Sequence, residues 1–262
     1  MAQIKRVSLV SLSILLISLS TWAQTPGRKV IVLIDLFETD ASQREEENLI
    51  VGNLLLDKYP GAQLISINAT QQDAIFQELK DKLLARDQVV ALNVDTDGEV
   101  KNENINNLKV PIITARTDSH IRVTLTSPQS VKALFGPLIG RFSGNATLLF
   151  GGCNLGDQGE PNDVFTRMKN VALAFGLKSG FIYLNKTIGL GYIPHGNTVV
   201  QLTHAPIVAL ARLILSPMKG AGLFDRGYSF EIQGGHEKLF TDQYDRFLGE
   251  ANMPTSEPLI QK

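Results

Sequence analysis

Asp35 closes the apolar run Val32-Leu-Ile-Asp35, and Cys153 and Asn154 close a second one, Phe150-Gly-Gly-Cys-Asn154. In open parallel sheets the carboxyl ends of strands meet ligands, so a carboxylate, a thiol and an amide at the ends of apolar runs are candidate site groups. A thiol can act as a nucleophile when a base stands near it. His120 is the one histidine upstream of Cys153 that could serve as its base. The acidic neighbours Asp157, Glu160 and Asp163 disfavour a thiolate, so a small buried cysteine is preferred to a reactive one. Cys153 is the chain's single cysteine, so stability has to come from burial and not from an internal disulfide.

The elements that must position these groups follow from periodicity. From Lys29 to Pro217, apolar runs bounded by polar turns alternate with helical patterns, which predicts an α/β fold of three layers: a mostly parallel sheet with helices on both faces. The runs Lys29–Phe37, Ala62–Ala69, Gln88–Val94 and Ala146–Asn154 are expected strands. Arg44–Gly61 is an expected helix with Leu49, Ile50, Leu54 and Leu55 on one face, and a second carries Ile75, Phe76, Leu79 and Leu83. A further helix should begin after Ser127 as its cap. Between Asp95 and Pro128 a hairpin is expected at the sheet's carboxyl edge. Either Lys169–Gly176 or Gly180–Asn185 supplies the next strand. The segment Leu202–Pro217, LTHAPIVALARLILSP, reads as a buried helix with Pro206 in its first turn. Residues 218–262 read as a peripheral hairpin and helix.

Residues 1–23 have the pattern of a secretory signal: Lys5 and Arg6, the apolar run Val7–Ser20, and small residues before a cut after Ala23. The run is shorter than the roughly 18 residues of a membrane span, so an exported protein without stable membrane insertion is expected, periplasmic or secreted. Residues 24–262 then form one domain. Setting Lys5 and Arg6 aside leaves 23 basic residues against 26 acidic ones with no basic cluster, which gives a nucleic-acid partner no electrostatic support. His120, His195, His204 and His236 show no paired helical spacing, so no zinc site is expected, and no motif calls for a cofactor. Asp95-Thr-Asp97 is similar to the Asp-x-Asp loop of haloacid-dehalogenase-like phosphatases, but its distance from the acidic stretch Gly156–Asp163 is short for that fold, and a solvated turn is preferred.

Over residues 29–217 the order of parts resembles the subtilisin-like serine peptidases. Asp35 falls where that family has its catalytic aspartate, and Asn154 in FGGCN falls on its oxyanion asparagine. ENLIVGNLL aligns with the family's histidine-bearing helix and puts Glu47 at the base. The segment through Pro206, Val208 and Ala209 aligns with the serine-bearing helix and puts Leu202 at the nucleophile. On such a helix Thr203 is turned about 100° away from that position. The resemblance therefore implies a degenerate peptidase that has lost histidine and serine, with a binding or regulatory role toward a peptide or protein. LLFGGCNLGDQGE is also similar to the cysteine loop of caspase-like peptidases, which implies an alternative: a hydrolase using Cys153 with His120. In those folds a His-Gly closes an earlier strand, whereas here that strand ends NVDTDGE. A flavodoxin-like or solute-binding α/β domain is the third possibility.

Overall fold

The structure is a computed structural model that describes residues 27–36, 41–67, 71–105, 108–114, 121–152, 154–156, 159–185, 190–195, 198–203, 222–223, 225–244 and 255–262. The expected signal segment and the apolar stretch from His204 to Pro217 lie outside the described residues.

The strands β1 (Lys29–Asp35), β2 (Gln63–Ile67), β3 (Gln88–Asp95), β7 (Phe142–Phe150) and β8 (Gly180–Asn185) pair in parallel in the order β2-β1-β3-β7-β8. This is the doubly wound order in which the chain reverses its winding between β1 and β3, leaving a crevice at the carboxyl ends of those two strands. β1 and β3 are buried on both faces except at their ends, which is why both read as unbroken apolar runs. β2 lies at the sheet edge and alternates instead.

Helix α1 (Ala41–Lys58) covers one face, packing Ile50, Val51 and Leu55 on Ile31, Leu33 and Ala91. Helices α2 (Gln72–Lys82), α3 (Pro128–Phe135) and α4 (Pro161–Phe175) share the opposite face. There Phe175 gathers the rings of Phe135, Phe142 and Phe150 at centroid distances of 5.4, 6.1 and 5.6 Å. The Ser127 hydroxyl accepts from the Ser130 N–H at 3.3 Å and caps α3 as its sequence implies. Gly176 ends α4 with φ of 67°, the left-handed conformation that glycine adopts without steric cost. Among the described residues no helix is long and apolar enough to cross a membrane.

Two small antiparallel sheets accompany the large one. β4 (Asp97–Ile105), β5 (Leu108–Thr114) and β6 (Arg122–Thr124) form a three-stranded sheet after β3, in which β5 and β6 are the expected hairpin and β4 is an additional strand, and Thr96 Oγ1 donates to Thr114 O at 2.8 Å to hold it there. β9 (Leu190–His195), β10 (Thr198–Thr203) and β11 (Gly222–Leu223) form the other.

The C-terminal segment departs from the sequence expectation. β12 (Asp225–Gln233), β13 (His236–Tyr244) and β14 (Thr255–Gln261) continue the main sheet antiparallel, with β12 directly against β8. The expected hairpin is present, turning through Gly234 and Gly235 at φ of 60° and 84°. It is not peripheral, because Ser229, Phe230 and Leu239 are fully buried and Phe230 meets Phe165 of α4 edge to face at 5.3 Å. Of the two candidates for the strand after α4's loop, Gly180–Asn185 is the strand and Lys169–Gly176 belongs to the end of α4.

At the amino ends of β1 and β3, the Arg28 guanidinium grips Asp87 through two of its three nitrogens, Nε to Oδ1 at 2.9 Å and Nη2 to Oδ2, and Leu84 N–H donates to Asp87 Oδ2 at 2.9 Å. Burial opposes the charged form of Asp87, but the hydrogen bonds from Arg28 and Leu84 and the charges of Arg28 and Arg141 together hold its carboxyl below the usual range. A depressed carboxyl adds stability that is present above its unfolded value of about 3.9 and lost as pH falls through the folded value. Asp87→Ala is therefore expected to cost about 1–3 kcal/mol in urea unfolding at pH 7. That difference from wild type should shrink when the unfolding is repeated in increasingly acidic buffer.

Candidate functional site

Three backbone bonds draw the carboxyl edge of the sheet together. Leu36 N–H donates to Asp95 O at 2.8 Å, Gly151 N–H to Val94 O at 2.9 Å, and Gly156 N–H to Asn185 O at 2.7 Å. The ends of β1, β3, β7 and β8 thereby form one rim, where open α/β sheets receive ligands.

Asp35 and Asp95 occupy this rim as register partners at the β1/β3 reversal. Asp35 is 6% exposed. Both lie on the α1 face, since side chains alternate along a strand and Leu33 and Ala91 belong to that face's core. Asn93, two residues before Asp95, stands on the same face opposite Leu33. Further along the rim, the Asn185 amide donates to Gly151 O at 3.5 Å and its Oδ1 accepts from Tyr183 OH at 3.4 Å, both long contacts between buried groups.

The loop after β7 carries Asn154 in the left-handed region, with φ of 58°, and exposed to solvent. Asparagine tolerates this conformation better than most residues with a side chain. Leu155 is fully buried, and a Cβ on Gly156 would lie 3.0 Å from the Tyr228 ring and 3.1 Å from Leu184 O, a tight fit that a side chain would ease only by moving these neighbours a few tenths of an ångström. Beneath the loop sits Arg167 of α4, 2% exposed, whose Nη1 donates to Gly156 O at 3.4 Å and whose Nη2 lies 3.4 Å from the Cβ position of Gly159.

The residues singled out from the sequence divide accordingly. Asp35 and Asn154 reach the same rim, on β1 and after β7 with β3 between, and a strand spacing near 4.8 Å separates those two strands by about 10 Å. Glu47 lies in the amino-terminal half of α1. Leu202 lies in β10 opposite Gly191, within the second small sheet and not at the start of a helix. Cys153, flanked by Gly152 and Asn154, and His120 lie outside the described residues, as does His204. Asn93, Asn185 and Arg167 were not singled out. The available signal was a polar residue inside an apolar pattern: Asn93 within ALNV, and Arg167 on the stripe of Val164, Met168 and Val171.

Among the described residues, no three or more His, Cys, Asp and Glu side chains gather as a metal cluster. A crevice of about 360 Å³ at the opposite end of the sheet is lined by Lys58, Tyr59, Thr147, Phe181 and Glu231 among others. Burial pushes the Lys58 ammonium below its usual value against the charge of Glu231, and pushes the Tyr59 phenol up against its 2.6 Å hydrogen bond with Thr147. No family model, curated protein or solved structure matches this chain.

Replacing Arg167 by Met removes the long 3.4 Å bond to the Gly156 carbonyl together with a buried charge, so the loop loses a tie while global stability changes little. The expected outcome is faster hydrogen exchange across residues 151–156 than in wild type, with protection at β1 retained.

Proposed function

We propose that this chain is an exported, peptidase-like α/β protein that binds a peptide or protein partner without hydrolysing it. The observation that carries this reading is the neighbourhood of β3 and β7. β7 runs into Gly151-Gly152-Cys153, and β3 beside it runs into Asp95-Thr96-Asp97-Gly98. This adjacency suits the caspase-like resemblance, in which a cysteine loop follows one strand and a His-Gly closes an earlier one. Asp97 precedes the glycine here in place of the histidine.

An ionised aspartate cannot form the thiolate–imidazolium pair that activates a cysteine, and nearby negative charge raises a thiol's pKa. The loss of the base at that position supports binding over turnover. The subtilisin-like alternative draws support from Asp35 and Asn154 at one rim. It is the weaker of the two, because its nucleophile position falls on strand β10 at Leu202. The subtilisin-like resemblance lacks both histidine and serine, whereas the caspase-like one keeps Cys153 and lacks only the His-Gly, so in each the catalytic pair is incomplete.

The test incubates the purified protein with a thiol-directed probe, a serine-directed probe and general peptide substrates, beside Cys153→Ala and His120→Ala. Labelling of Cys153 at the slow rate of an ordinary thiol and no turnover are expected. Peptide turnover that disappears in both variants would establish a cysteine hydrolase using His120 and overturn the proposal.

A further inference from the structure

The rim row that ends in Asp35 and Asp95 holds a buried acceptor that packing leaves unanswered. The β1–β3 ladder sets Leu33 against Asn93 and Asp35 against Asp95, all on the α1 face. The two carboxylates thus stand on strands about 4.8 Å apart, with the Asn93 amide one pleat beneath them. Asn93 is 2% exposed, and among the described residues its Oδ1 accepts no hydrogen bond. The ladders flank it with Leu33 and Leu149, both buried. An amide in such apolar surroundings leaves its oxygen to be satisfied from the rim above.

We propose that Asp35, Asp95 and the Oδ1 of Asn93 form an oxygen-only site for a hard divalent cation, Ca²⁺ or Mg²⁺, at the point where the sheet's winding reverses. Such a cation offsets the repulsion of two adjacent carboxylates and gives the Asn93 oxygen a partner. The donor set contains neither sulfur nor nitrogen, which selects hard cations over zinc or copper. Asp35 and Asp95 also engage in other interactions, and a carboxylate with about four lone-pair sites can share itself between those and a cation. Water would fill the remaining coordination positions. The site stands independently of the peptidase-like reading, because it uses neither Cys153 nor Asp97.

The full chain, freed of metal with a chelator, is titrated separately with Ca²⁺ and with Mg²⁺ by calorimetry, and its thermal unfolding is followed with and without each cation. One saturable site and a raised Tm are expected for at least one cation. Asp35→Asn and Asp95→Asn should each weaken that binding by about tenfold or more, since ligand charge count sets affinity in such sites. Asn93→Leu should weaken binding while raising the Tm of the cation-free protein, because it removes the orphan acceptor. Absence of saturable binding by wild type for both cations overturns the proposal. Unchanged affinity in the aspartate variants overturns it too, and unchanged affinity in Asn93→Leu overturns the three-ligand site. The wild-type titration stands even if a variant fails to fold.

Discussion

β1 and β3 pair in parallel from Lys29 against Gln88 to Asp35 against Asp95, and the other elements are placed by that ladder. Both strands lie inside the sheet, so each needs apolar cover on two faces, and the helices supply it: α1 on one side, α2, α3 and α4 on the other. The winding reverses at this pair, so the two strand ends have no crossover helix starting between them in the same direction. Polar side chains can collect there without losing a packing partner. The same ladder that buries Val30, Val32 and Ile34 therefore sets two carboxylates side by side at its end.

The rim is held by main-chain as well as side-chain bonds. Bonds from Leu36, Gly151 and Gly156 tie four strand ends together, and Thr96 fixes the inserted hairpin to the same edge. The turn Asn154–Gly156 fits tightly against the end of β8 and Tyr228 at Gly156, and Arg167 donates to it through Gly156 O. A guanidinium in the core is costly unless its donors are met; here Nη1 meets a loop carbonyl at 3.4 Å while the buried Nε has no acceptor among the described residues. The loop and the core are thus linked through one side chain.

Much of this was legible in the chain itself. The runs that became β1, β2, β3 and β7 and the helical faces of α1 and α2 were readable because buried parallel strands and amphipathic helices leave different periods. Asp35 and Asn154 were readable as residues at strand ends because both stand where an apolar run stops. Leu202 was not, since Val199-Val200-Gln201-Leu202 is too short an apolar run for period alone to separate strand from helix. Its pairing with Tyr192 and Gly191 decided the matter. β12 was misplaced for a related reason: a hairpin's alternation is local, whereas its attachment to β8 depends on Tyr228 and Phe230 fitting against strands more than 40 residues earlier.

By itself the sequence determined the class of the fold, the polar residues at the strand ends and the absence of a histidine beside the glycine that follows β3, because these rest on local period and residue identity. Only the tertiary structure decided that Asp35 faces Asp95, that Asn93 lies beneath them, that β7 neighbours β3 and that the C-terminal hairpin completes the sheet. Each of those is a pairing between distant segments. Its energy comes from burying two surfaces against each other, and neither surface alone carries a record of its partner.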